Sequence, residues 1–206
     1  MSIFNKISFK DQAFKLRESA ILDATTSILG DKGFDLMTMD DVANAVGISK
    51  PSLYKHFKSK EELVGEALIR LIDGAITYLA DIDKDLPPVQ KLRILLEWAM
   101  RVRLQGGMPF LPSTSTSVRS MLMKNISYVT RILKLNSQLE KLVIAAQKSG
   151  DLNPKLSCDV ILFSYYSRTC DPAVDYLKTF SKMSDDAIVE HMLQVAFNGL
   201  TSNSAQ

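Results

Sequence analysis

The sequence is poor in everything that a disulfide-held, metal-held or histidine-driven protein depends on. Its two cysteines, Cys158 and Cys170, are too few and too far apart for a zinc knuckle or a redox CxxC pair. They read as two buried thiols kept in a reducing compartment. Histidine is equally scarce, with only His56 and His191. There is no P-loop, HExxH, GxSxG or dinucleotide glycine fingerprint. Asp40 and Asp41 make a carboxylate pair, but their place just after Thr38 explains them as helix-dipole partners. An enzyme is therefore disfavoured, and no cofactor or metal is expected. No segment approaches the roughly 20 apolar residues of a membrane span. The opening MSIFNKISFKDQAF has scattered charge and no signal-peptide core, so the expected location is cytoplasmic, away from any membrane. Charge of one sign is also lacking. The net charge is only +2, and any polyanion partner must be read from where the charges lie.

Glycine (9) and proline (7) are sparse, and no alternating strand pattern, hairpin signal or internal repeat occurs. What remains has helical period, and the fold class is all-α. At 206 residues the chain suffices for one large domain or for a small domain fused to a larger one. Across residues 16–29 the apolar positions 16, 20, 21, 24, 28 and 29 make a helical stripe, ended near Gly33. Thr38 caps a short helix with Asp40 and Asp41 in its first turn, and Gly47 stops it. Ser49 caps the next, with Pro51 in the first turn, where a missing N–H costs nothing. Ser59 and Glu62 have the spacing of a capping box for a long helix of about 20 residues, or ~30 Å. Leu86-Pro87-Pro88 breaks the chain. Further helices are expected over 89–105, over 118–149 as one helix or two, over 155–170 and over 185–200. Asp171-Pro172 either kinks the penultimate helix or starts another. The domain expectation is a helix-turn-helix unit over 1–60 and a helical regulatory and dimerisation unit over 61–206, with the long helix joining them.

Residues 38–57 carry the function. Ala43, Gly47 and Leu53 have the spacing of two helices crossing steeply over a short turn. Ala43 allows close approach, and Gly47 supplies positive φ. Val42, Val46, Ile48 and Leu53 close a miniature core. The outward face of the second helix is then Lys50, Ser52, Tyr54 and Lys55, the face that enters a DNA major groove. Between Lys50 and Lys60 stand four lysines and no acid. Taken singly, such lysines are an ordinary solvated face. Together with the helix spacing they form the basic strip that phosphate neutralisation requires.

The run GFDLMTMDDVANAVGISKPSLYKHFKSKEEL, residues 33–63, resembles the DNA-binding signature of the tetracycline-repressor (TetR) family almost position by position. The match includes the Gly-aromatic pair, the Thr cap, the Ala-x-x-x-Gly turn, the Ser-x-x-Ser-Leu-Tyr-x-His-Phe block and the Ser-Lys-Glu closing run. Pro51 departs from the pattern, standing where Gly is commonest and offering no N–H to a phosphate. The resemblance implies that Thr38, Tyr54, His56 and Lys60 contact phosphates. It implies that Ser49, Lys50, Ser52 and Lys55, with Pro51 among them, face the groove or its walls. The implied partners are palindromic double-stranded operator DNA, a second copy of the chain and a small-molecule inducer. The N-terminal arm, with Lys6 and Lys10, is either a minor-groove arm or a packed extension.

Beyond residue 65 the sequence says less. Trp98, Phe110, Met121, Tyr128 and Tyr165 are expected liners of an apolar ligand pocket, with Thr114, Arg119 and Asn125 as orienting polar groups. A plain core is the other reading of each. An apolar or amphipathic inducer fits that supply. Tyr166, Val189, Met192, Val195 and Phe197 are expected at a homodimer interface by family analogy. The competing readings are a ligand-independent regulator and a protein-interaction adaptor. The intact basic strip disfavours the adaptor.

Overall fold

A computed structural model describes residues 8–107 and 116–200. Within them lie ten helices and no strand: α1 (Phe9–Leu36), α2 (Met39–Val46), α3 (Lys50–Tyr54), α4 (Lys60–Asp81), α5 (Pro88–Leu104), α6 (Thr116–Lys124), α7 (Ile126–Ser149), α8 (Cys158–Thr169), α9 (Ala173–Phe180) and α10 (Asp185–Asn198). The chain divides into two compact units, one ending at Ala67 and one beginning at Leu68, so α4 runs from the first into the second. No helix among the described residues is long and apolar enough to cross a membrane.

In the first unit α1 packs on α2, and α2 on α3. The buried stripe of α1 is Ile21, Thr25 and Leu29. Thr25 is buried because its hydroxyl donates to the Ile21 carbonyl at 2.7 Å, which satisfies it within the helix. The expected stripe was wider. Leu16 is 73% exposed and Ala20 is exposed, because the helix is covered only from Ile21 onward. The path of α1 breaks at Gly33 (φ 73°, ψ 169°), a conformation that a side chain would strain.

In the second unit α5 packs against α7, α8, α9 and α10 and forms the centre. It buries Leu92, Leu95, Leu96, Ala99, Met100 and Leu104. The Tyr165 hydroxyl, deep between α8 and α5, donates to the Leu92 carbonyl at 2.9 Å. Arg131 on α7 holds Asp73 on α4 through both carboxylate oxygens at 2.8 Å. The region 118–149 resolves as two helices, because Asn125 breaks α6 and its side chain accepts from Tyr128 N to cap α7. The next helix starts at Cys158 rather than 155, where Ser157 supplies the cap after the turn at Asn153 and Pro154. Asp171 starts a new helix: its carboxylate accepts from Ala173 N at 2.9 Å. Cys158 and Cys170 are half-buried and form no disulfide.

Candidate nucleic-acid interface

The reading head is assembled by local chemistry. Thr38 accepts from Asp41 N at 3.1 Å, and Asp41 accepts from Thr38 N at 2.9 Å, so the two close a capping box at the start of α2. Asp41 thus serves as more than a dipole partner. Gly47 ends α2 in the left-handed region (φ 72°, ψ 34°) and turns the chain into α3. The Ser49 hydroxyl accepts from Ser52 N at 3.3 Å. Leu53 is fully buried on α3, which packs on α2, where Val42 and Ala43 are buried. Ser59 accepts from Glu62 N at 3.1 Å, but the Glu62 carboxylate reaches back to Lys58 N at 2.7 Å rather than to Ser59. The expected capping box at α4 is therefore displaced by one residue on its return bond.

The Asp41 carboxyl is held at about 2, below its ordinary 3.8. The Lys32 ammonium at 2.8 Å is the main cause, followed by the Thr38 hydroxyl and N–H. A carboxyl whose folded value is depressed stabilises the fold fully above its unfolded value. That contribution is lost as pH falls from about 4 towards 2. Asp41→Asn should therefore flatten the acid side of the stability profile. Urea midpoints taken between about pH 5 and pH 2 should converge with the parent's at the acid end. A parallel offset at every pH would contradict this.

Of the residues expected at DNA, Tyr54, Lys55, Pro51 and Lys50 lie exposed on α3 or at its end, and Ser52 is half-buried beside them. Lys50 is already engaged: its ammonium is 2.8 Å from the Asp40 carboxylate of α2, which raises its pKa. Ser49 and Thr38 are exposed, with their hydroxyls serving as helix caps. His56 is half-buried and stacks on Phe14 of α1 at 4.0 Å. Its Nδ1 is buried with no hydrogen-bond partner among the described residues. Burial holds His56 below the ordinary histidine range. Lys60 points inward. Its ammonium donates to the Phe34 and Met37 carbonyls at 2.9 and 3.0 Å. Nothing in the side-chain types alone signalled that turn. Lys10 is exposed in the first turn of α1, and Lys6 lies outside the described residues.

A candidate ligand site lies in the second unit. An apolar cavity of about 210 Å³ lies among α5, α8 and α10 and is lined chiefly by Leu92, Leu96, Leu156, Ile161, Tyr165 and Phe197, with Arg168 at its wall. Tyr165 is the one expected liner in it. Trp98 stacks on Tyr78 at 5.3 Å instead. Asn125 is a helix cap, Met121 is half-buried and Arg119 is exposed. The buried Tyr128 hydroxyl is pushed up to about 12 by desolvation. Phe110 and Thr114 lie outside the described residues. Tyr166, Val189 and Met192 are buried within the chain itself, so they have little fresh area to offer a partner. Val195 and Phe197 are half-buried. On α8 the exposed apolar side chains are Val160 (53%) and Phe163 (69%).

A capped short helix, a glycine turn and a second short helix with an exposed basic and hydroxyl-bearing face define a helix-turn-helix DNA-binding regulator. Residues 21–67 match the family described as bacterial regulatory proteins, tetR family. KstR2 of Mycolicibacterium smegmatis, named an HTH-type transcriptional repressor, is 23% identical over 91% of this chain and 92% of its own length. The fatty acid degradation regulator FadR of Bacillus halodurans shares the fold with a TM-score of 0.67 at 15% identity, over 89% of this chain and 96% of that one. AibR, solved with isovaleryl coenzyme A and operator DNA, shares it with a TM-score of 0.62 at 21% identity, over 88% of this chain and 98% of that one. Over residues 21–67 the chain carries the DNA-binding domain of the TetR family of transcriptional regulators. No cluster of metal-ligating side chains occurs among the described residues.

Proposed function

We propose that this regulator is a repressor that holds a palindromic operator as a homodimer and releases it when an amphipathic small molecule fills the second unit. The observation that carries the DNA half is the face of α3, where Lys50, Tyr54 and Lys55 stand exposed together. One five-residue helix reads too few bases to specify a site, whereas two related by a two-fold axis read half-sites about one turn apart. Repression is favoured by the likeness to KstR2 along nearly the whole chain. The second copy is assigned to the exposed apolar face of α8 and to α10, with Val195 and Phe197 at its margin.

For the inducer, the supporting observation is the apolar cavity with one guanidinium at its wall. Arg168 is 2.8 Å from Asp171, and an anionic ligand group competes with that carboxylate. An acyl thioester of coenzyme A has the required pairing of apolar chain and anionic head, and AibR was solved with one. Helix α4 begins in the reading head and continues into the second unit, so it is the covalent route for the coupling. A ligand binding the DNA-free form about 100-fold better shifts the equilibrium by about 2.7 kcal/mol.

The test begins by selecting a duplex from a random pool with the parent protein. Tyr54→Ala should weaken binding to every duplex alike. Lys50→Ala should instead alter which base is preferred, at about 1–3 kcal/mol for the lost contact. Acyl thioesters of graded chain length are then titrated, following Trp98, the sole tryptophan, together with release of the duplex. Binding of a thioester without release of DNA would remove the inducer role. Equal affinities for the parent and Tyr54→Ala would remove the assignment of α3.

A further inference from the structure

The lysine that opens α4 has its charge directed into the protein. The Lys60 ammonium lies 2.9 Å from the Phe34 carbonyl, 3.0 Å from the Met37 carbonyl and 4.3 Å from the centroid of the Phe34 ring. An ammonium has three protons and no acceptor. Two are spent on carbonyls, and the ring face lies within cation–π range of the charge. Those carbonyls are not arbitrary ones. Phe34 follows the break at Gly33, and Met37 is the C-cap of α1, so both belong to the helix end where carbonyls lack intrahelical partners and carry partial negative charge. Met37 is also buried and directly precedes Thr38, the N-cap of α2. The ammonium thus ties the start of α4 to the corner where α1 turns into α2. Lys55 and Lys58 contrast with it: both are exposed, with no partner for their ammonium groups among the described residues.

We infer that Lys60 is a positioning residue of the reading head, an internal cation that clamps the α1–α2 corner to α4 and so sets the attitude of α3, rather than a contact to the phosphate backbone. This rests on the DNA-binding reading above. The two roles differ in what salt does to them. A phosphate contact releases a counterion, and losing it lowers the salt slope by about one. Loss of a clamp lowers affinity without changing the number of phosphates neutralised.

The experiment compares Lys60→Met, which keeps the stem and removes the charge, with Lys55→Ala as the reference for an exposed cation. Binding to a duplex selected from a random pool by the parent is measured across a salt series. Amide exchange of the DNA-free proteins is measured at residues 34–38 and 60–63. Lys60→Met should bind about tenfold more weakly, the loss of one charge-assisted hydrogen bond, with the parent's salt slope. Its exchange should quicken at both segments. Lys55→Ala should show the lowered slope and parental exchange. A slope lowered by about one in Lys60→Met with parental exchange overturns the inference. If the parent selects no duplex, the DNA-binding reading fails, and exchange alone decides the clamp. If Lys60→Met does not fold, Phe34→Leu, which keeps the lysine and removes the ring, must quicken exchange at residues 60–63. Parental exchange there overturns the clamp.

Discussion

Leu53→Ala is expected to destabilise the reading head by about 2–5 kcal/mol, the cost of a large-to-small change at a site that cannot collapse. Leu53 is fully buried and lies in a helix of only 5 residues. So short a helix has almost no stability of its own, and its position depends on that one side chain. A loss of this size is a large part of the 5–15 kcal/mol that domains typically possess. Urea unfolding followed by circular dichroism checks the stability, and DNA binding should fall with the folded fraction. Tyr54 is the informative neighbour. It is 43% exposed, so Tyr54→Ala should leave the urea midpoint near the parent's while reducing DNA affinity. A change below about 1 kcal/mol for Leu53→Ala would mean that α3 is anchored elsewhere.

Phe163→Glu should convert the protein to monomer at micromolar concentration. Phe163 is 69% exposed, with Val160 one turn away on the same face of α8. In a dimer closed through α8, a glutamate there is buried without a cation, which an apolar seam does not tolerate. The fold of the single chain should be unaffected, since the side chain is exposed within it. Losing the second head should weaken operator binding about 10²–10⁴-fold, the effect of making the second engagement intermolecular. Sedimentation and a binding isotherm on the same sample read both effects. A variant that keeps the parental mass and affinity would place the seam elsewhere.

What could be read from the residues divides along a physical line. Thr38, Gly47, Ser49 and Ser59 were legible because capping and turning are decided within a few residues, by a hydroxyl or by positive φ. Whether an apolar side chain turns into its own chain's core or towards a partner is decided by distant neighbours. Tyr166, Val189 and Met192 therefore read as interface anchors although α5, α7 and the adjoining helices already cover them. The lining of the cavity is a second example. Leu152, Leu156 and Phe197 line one cavity although 45 positions separate the first from the last. The inward turn of Lys60 is a different case. Sequence counts a lysine as surface charge, and only the break at Gly33 brings carbonyls to meet it.

The pairing of Lys50 with Asp40 bears on how the protein moves through a genome. Off its target, the lysine best placed to read a base already has an anionic companion 2.8 Å away. Approaching DNA is then an exchange: one carboxylate is given up for whatever the groove presents. A single phosphate or a lone acceptor roughly matches what is surrendered, so random sequence gains little grip from this side chain. On the reading proposed for α3, a guanine edge offers two acceptors side by side in place of that one carboxylate. The exposed lysines Lys55 and Lys58 would supply charge for sliding without such an exchange. Among the very many competing sites that a chromosome offers, brevity at the wrong ones contributes as much to occupancy of the right one as strength does.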